Sequence, residues 1–154
     1  MIYQHTMQTP IGELTIQSSN IGLTYVGFSP KMKYEECHNT YTRQACEQLS
    51  EYFAGLRYTF AVSFDLQGSV FQQSVWQLLT QVEYGKTNTY GWMANQLGKP
   101  KAVRAVGGAN GKNPISIIIP CHRIIGANGT LTGYAGGVEK KAWLLKHEQQ
   151  NKLN

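Results

Sequence analysis

A chain of 154 residues with 42% apolar and 15% charged residues is too apolar to stay disordered, and long enough for one ordinary domain or two small ones. Its 14 Lys and Arg against 9 Asp and Glu leave a net charge of +5, compatible with a polyanionic partner without specifying one. No apolar run approaches the roughly 20 residues of a membrane span and no charged-then-apolar leader precedes Ile2. The expectation is a cytoplasmic protein without membrane contact, its three cysteines reduced.

In the first part of the chain, Glu13 to Gln17 alternates with Leu14 and Ile16 on one face. A Ser18-Ser19-Asn20 turn and the strand-like run Leu23 to Phe28 complete a predicted hairpin. From Tyr41 the period becomes helical through Ala45, Leu49, Tyr52, Phe53 and Leu56, and Phe60, Val62 and Phe64 alternate as a predicted third strand. Cys37, His38, Cys46 and His5 lack the close pairs that zinc ligands show, so no metal is assigned. The turn-rich Asp65-Leu66-Gln67-Gly68-Ser69 separates an N-terminal α/β domain, 1–66, from a second domain, 67–154.

Ser69 is placed to cap a helix whose apolar stripe is Phe71, Val75, Leu78, Leu79 and Val82. Thr89 caps a second helix, Tyr90 to Leu97, closed by Gly98, and a third runs from Lys101 to Asn110. The pair reads as a helix-turn-helix. The third helix carries Ala102, Arg104, Ala105, Gly107 and Gly108: small residues that permit close approach, and one long cation. A major-groove reader would want several side chains for base edges. One Arg among alanines and glycines suits a minor-groove binder with little sequence preference that wedges the stack open, as base-flipping proteins do.

The most unusual stretch is Ile117-Ile118-Ile119-Pro120-Cys121-His122-Arg123-Ile124-Ile125, read as a buried strand interrupted by a thiol, an imidazole and a guanidinium. Adjacent cationic groups favour a thiolate, the reactive form of cysteine. Gly126-Ala127-Asn128-Gly129 then turns, Thr132 to Gly137 forms a glycine-rich pocket wall, and a last helix from Glu139 to about His147 ends at Glu148 before a frayed tail.

Residues 68–148 resemble the C-terminal domain of the O6-alkylguanine-DNA alkyltransferases, the methylated-DNA–protein-cysteine methyltransferases. The matching pieces are Phe71-Gln72, Val75-Trp76, Tyr90-Gly91, Arg104 to Ala109, Asn113-Pro114, Ile119 to Arg123, Gly133-Tyr134, Gly136-Gly137, Trp143 to Leu145 and His147-Glu148. The first domain resembles the family's ribonuclease-H-like domain only loosely. The fold implied is therefore an α/β ribonuclease-H-like domain followed by a mainly α, winged-helix-like domain that carries the cysteine.

The resemblance implies a DNA-repair protein that moves the alkyl group of O6-methylguanine in double-stranded DNA onto Cys121 without a cofactor, inactivating itself. O4-methylthymine is a less secure substrate. His122 and Glu148 would form a relay that keeps the thiolate available, with water between histidine and thiol. Tyr90 would contact the flipped nucleotide and protonate the leaving guanine, Arg104 would fill the gap in the duplex, and Asn113 would pin the recognition helix to the active-site loop. Ala102, Ala105 and Gly107 would lie against DNA, and Ile124, Tyr134 and Ala135 around the base. Ala135 and Ser116 stand where some relatives carry Ser and Pro, which bears on tolerance of bulky alkyl groups. A monomer is expected. Two other classes compete: a damage sensor that grips alkylated DNA without reacting, disfavoured because Cys121 is present, and a cysteine hydrolase, disfavoured because adjacent Cys and His make an awkward dyad.

Overall fold

The computed structural model describes residues 1–153 and divides into two compact units, one of Met1–Gln67 with Pro114–Ile118, the other of Gly68–Asn113 with Ile119–Asn154. In the first unit, β1 (Tyr3–Thr9), β2 (Gly12–Ser18) and β3 (Leu23–Gly27) form an antiparallel sheet in chain order. Helix α1 (Thr40–Phe53) packs on β1 and β2 and is started by Asn39, whose side chain accepts from Thr42 in a reciprocal capping box. The core is Leu14, Ile16, Leu23, Val26, Ala45, Leu49 and Tyr52.

The predicted hairpin is present as β2 and β3, but β1 escapes an apolar-pattern reading because its inward residue is polar. Buried Gln4 accepts from Gln17 Nε2 at 3.0 Å and from the Tyr34 backbone N–H at 2.9 Å. The third strand predicted at Phe60, Val62 and Phe64 is not formed. Gln48 occupies the backbone of Ala61, accepting from its N–H at 2.9 Å and donating to its carbonyl at 3.0 Å, and only an isolated bridge joins Leu23 to Phe64.

Nor is the isoleucine run before Cys121 a strand. Ile115 bridges Val26, and the chain then tightens: Ile118 N–H donates to Ser116 O at 2.8 Å across Ile117, whose φ is 72°. That is a γ-turn on a β-branched residue, a sterically costly conformation.

The second unit begins with α2 (Val70–Leu79), capped by Ser69 and Gln72 in a second capping box. β4 (Asn88–Thr89) leads straight into α3 (Tyr90–Gln96), and α4 (Val103–Gly111) follows after residues 97–102. A single 3₁₀ turn, Cys121–Arg123, opens directly into β5 (Ile124–Ile125), and α5 (Val138–Asn151) closes the unit. The tail expected to fray from Gln149 is instead helical to Asn151. Trp76 Nε1 donates to Ala109 O at 2.9 Å, joining α2 to α4. Among the described residues no helix is long and apolar enough to cross a membrane.

Candidate active site

A two-residue parallel pairing lies beside Cys121. Asn88 pairs with Ile124 and Thr89 with Ile125, so the turn that precedes β5, Cys121–Arg123, lies at the end of the pair that precedes β4, where Gly85 N–H meets Glu148, and α3 starts at Tyr90 from the other end. The Thr89 side chain caps α3 by accepting from Trp92 N–H at 3.1 Å, which fixes Tyr90 in the first helical turn. Pro120, at φ −82° and ψ 64°, makes an inverse γ-turn in which Cys121 N–H donates to Ile119 O at 2.8 Å. Asn113 Nδ2 donates to the same carbonyl at 2.8 Å, tying the end of α4 to the approach to Cys121.

His122, Arg123 and Glu148 form a buried ionic network. Glu148 Oε2 accepts from His122 Nε2 at 2.7 Å and from an Arg123 Nη2 at 3.1 Å; its Oε1 accepts from Arg123 Nε at 2.9 Å and from Gly85 N–H at 3.1 Å. Arg123 Nη1 donates to Val82 O at 2.7 Å. Burial alone would raise the Glu148 pKa, but the hydrogen bonds from His122 and Arg123, with the charge of Arg123, hold it well below the usual carboxylate range. Burial pushes His122 down from its ordinary 6.5, Arg123 and Lys141 push the same way, and Glu148 opposes them. The imidazole is therefore neutral. Its Nε2–H faces the carboxylate, and its Nδ1, fully buried, has no hydrogen-bond partner in the protein. That lone pair is the basic atom of the site.

The expectation that imidazole and guanidinium beside Cys121 would favour its thiolate is corrected here: both turn to Glu148. Burial pushes the Cys121 thiol up; the Asn113 side chain, the Lys141 charge and the backbone N–H groups of Cys121 and His122 pull it back. Cys121 is a neutral thiol in a setting that stabilises its anion when the proton is taken.

Lys141 is the site residue that sequence reasoning missed. It is fully enclosed, its Nζ donating to Thr132 O at 2.8 Å and lying 5.9 Å from the Tyr90 ring centroid. In a Glu-Lys-Lys run it reads as a solvated charge. The signal was its spacing: Lys141, Leu144 and Glu148 fall at i, i+3 and i+7, one face of α5, and all three are buried. Arg123 lies in the same motif as Cys121, and its ion pair with Glu148 and bond to Val82 O appear only in the folded chain.

Tyr90 is half-buried and its hydroxyl donates to Thr132 O at 3.3 Å. Burial raises its pKa, so it stays a proton-bearing phenol. Ile124 and Tyr134 are buried in this unit, whereas Ala135 is exposed on the loop before α5. On α4, Val106, Ala109 and Asn110 face inward; Val103, Arg104, Ala105 and Gly108 face out, with Ala102 and Gly107 at the margin. Arg104 carries no ion pair among the described residues.

In the first unit, the rings of His5 and His38 lie 3.9 Å apart beside a cavity of about 570 Å³ that also touches Cys46. Burial pushes the Cys46 thiol up, and no group of three His, Cys, Asp or Glu residues that could hold a metal occurs among the described residues.

Comparison with known proteins agrees over the whole length. Residues 2–66 match the ribonuclease-like domain and residues 70–150 the DNA-binding domain of 6-O-methylguanine DNA methyltransferase. The chain is 46% identical over 153 residues to a methylated-DNA–protein-cysteine methyltransferase of Methanosarcina acetivorans, covering 96% of this chain and 98% of that one. It is 46% identical over 155 residues to a protein of the same name from Mycobacterium bovis, covering 97% and 93%. Among solved structures, the Mycobacterium tuberculosis OGT in complex with DNA superposes with a TM-score of 0.89 at 44% identity, covering 97% of this chain and 94% of that one.

Proposed function

The chain belongs to the 6-O-methylguanine DNA methyltransferase family, and we propose that Cys121 is the cysteine on which its methyl-transfer activity, a DNA-repair reaction, runs. The observation that carries this is the buried His122–Glu148–Arg123 network beside the thiol, with a free basic Nδ1 on its imidazole.

Each group then has a task. His122 Nδ1 takes the thiol proton, directly or through one water, and Glu148 holds the imidazole in the tautomer that makes Nδ1 the acceptor. Arg123 keeps Glu148 ionised in a buried setting where a lone carboxylate would take up a proton. Lys141 and the backbone N–H groups at Cys121 and His122 steady the thiolate. Sulfur attacks the alkyl carbon, the carbon–O6 bond breaks, and its electron pair passes into the purine, which takes a proton from Tyr90. The sum is thiol plus O6-methylguanine giving S-methylcysteine plus guanine. A thioether has no ionisable proton and no good leaving group, so the protein works once. O4-methylthymine would be a second substrate of the same reaction.

The finer architecture belongs to the same proposal. α3, residues 97–102 and α4 act as a helix-turn-helix within a winged-helix-like domain, and the first unit as a ribonuclease-H-like domain. α4 enters the minor groove of double-stranded DNA with little sequence preference, Ala102, Ala105 and Gly107 against the duplex and Arg104 in the gap left by the extruded base. Backbone groups around Ile124, Tyr134 and Ala135 read the base. The chain works as a monomer in the cytoplasm, where its free Cys37, Cys46 and Cys121 stay reduced.

Incubation with methylated duplex DNA followed by peptide mass analysis tests this. One methyl group per molecule on Cys121, reaching a plateau however much substrate is added, is the expected result. Cys121→Ala should bind DNA and transfer nothing, since phosphate contacts do not need the thiol. Methyl transfer to Cys37 or Cys46, or turnover beyond the plateau, would sink the assignment.

A further inference from the structure

We infer that Asn110 is a positioning residue for Tyr90, its carboxamide holding the phenol oxygen while that hydroxyl gives its proton to the departing base. This rests on the proton-donor reading of Tyr90 given above.

Asn110 lies on the inner face of α4, only 3% exposed, in line with Val106 and Ala109. An apolar residue would fill that place at lower cost, because burying an amide is unfavourable unless its hydrogen bonds are made. Here they are only partly made: Asn110 Oδ1 is buried without a partner. Native proteins carry few such groups, and each calls for an explanation.

The explanation lies across the α3–α4 packing. α3 packs on α4, a Cβ built on Gly107, one turn before Asn110, would lie 4.0 Å from Tyr90 Cδ1, and the Asn110 side chain hydrogen-bonds the Tyr90 hydroxyl; because Asn110 Oδ1 has no partner, the amide nitrogen is the group turned toward the phenol oxygen. Tyr90's other partner is Thr132 O at 3.3 Å, a long bond to an exposed loop that by itself would hold the hydroxyl weakly. A carboxamide suits both states of the phenol. Its oxygen accepts from the neutral hydroxyl, and its nitrogen donates to the oxygen once the proton has gone.

The proton accounting requires the second of these. As the sulfur–carbon bond forms and the carbon–O6 bond breaks, Tyr90 loses its proton to the purine and becomes a phenolate near the Cys121 sulfur. The new thioether is uncharged, and Asn110 Nδ2–H is the donor that holds the phenolate until guanine leaves. Tyr90 and His122 then return to neutral through solvent.

The test compares single-turnover methyl transfer on duplex DNA for wild type, Asn110→Leu, Tyr90→Phe and the double variant. Leu conserves volume and removes both polar atoms. Asn110→Leu is expected to slow transfer about tenfold, part of the roughly 10²–10⁴ that a positioned acid supplies, with DNA affinity unchanged. The double variant should be no slower than Tyr90→Phe alone. The alkaline limb of the rate profile should move to higher pH, because the phenolate has lost its donor. Asn110→Asp, which tolerates a polar setting and offers only a charged acceptor, should slow transfer further and move that limb higher still; it carries the test if the Leu variant does not fold. Losses that multiply in the double variant, or an unmoved alkaline limb, overturn the role of Asn110. Tyr90→Phe reacting at the wild-type rate would instead remove the proton-donor reading of Tyr90.

Discussion

Helix α4 turns Val106, Ala109 and Asn110 inward and leaves Arg104 outside; helix α5 does the reverse with its charges, enclosing Lys141 and Glu148 on the face that also carries Leu144. Both helices belong to the same unit, and neither is an ordinary amphipathic helix. On the inside of α5, Lys141 and Glu148, i and i+7, stand about 10 Å apart along the axis, Glu148 bonded to the His122 imidazole and Lys141 lowering the Cys121 thiol's pKa by its charge. On the outside of α4 the side chains other than Arg104 are small, and nothing among the described residues has to be met there. A Cβ built on Gly108 or Gly111 would touch no atom within 4 Å. In the function proposed above, the contrast would separate the part of the unit that reacts from the part that docks.

The sharpest break comes on the α5 side. Glu148→Ala leaves His122 and Arg123 buried without their common partner, and truncating one member of a buried pair costs about 3–5 kcal/mol. The urea midpoint should fall accordingly, and methyl transfer should drop by orders of magnitude. Glu148→Gln keeps the size and one of the two acceptor oxygens, but removes the charge and turns the other acceptor into a donor facing N–H groups. In wild type, His122 is held below 6.5 and Glu148 below 4.5 in the folded state. The native protein therefore binds fewer protons than the unfolded chain as pH falls through these ranges, so stability is full above about 6.5 and is lost toward acid. The acid limb of the transfer rate should likewise lie below 6.5. Because Glu148 is what raises His122, Glu148→Gln should move that limb lower still; a limb at or above 6.5 in wild type would remove His122 as the neutral base.

On the α4 side the effects are smaller and depend on substrate. Arg104 is exposed and without an ion pair among the described residues, so Arg104→Ala should leave thermal stability within about 0.5 kcal/mol. It should slow repair of duplex DNA, where an extruded base must be replaced at a cost of a few kcal/mol, by roughly ten- to a hundredfold. Reaction with the free modified base should hardly change. Equal losses on both substrates would mean that Arg104 supports the pocket instead.

How far the sequence could be read follows the same division. Caps, turns and glycine stops are local, so Ser69, Thr89 and the helix breaks around Gly98 were legible from neighbours a few residues away. Cys121, His122 and Glu148 were legible as motifs. What stayed hidden depends on groups far apart in the chain. Gln4 makes an inward strand position out of a polar residue only because Gln17 and Tyr34 meet it. Ile117 looks like strand chemistry until the turns on either side are seen, and β-branching argued for the wrong conformation. Lys141 and Asn110 look solvent-facing by type, and only the packing around Tyr90 and Cys121 makes them interior. The pairing of β4 with β5, two residues long, leaves almost no pattern to detect.

The smallest effect is the most discriminating one for α4. Gly108 is exposed, its φ is not in the left-handed region, and among the described residues no atom lies within 4 Å of where a methyl group would go. Glycine in a helix interior costs about 0.5–1 kcal/mol relative to alanine, so on intramolecular grounds alone Gly108→Ala should stabilise the protein by that amount. A residue that weakens its own helix without easing any contact in its own chain is explained by a surface that arrives from outside. If that surface is duplex DNA, the added methyl group holds the backbones apart, and Gly108→Ala should unfold at higher temperature while binding duplex DNA more weakly. The two shifts have opposite sign, so a general change in folding cannot produce both. A rise in melting temperature with unchanged DNA affinity would mean that α4 does not dock through this face, and the contrast between the two helices would have to be drawn elsewhere.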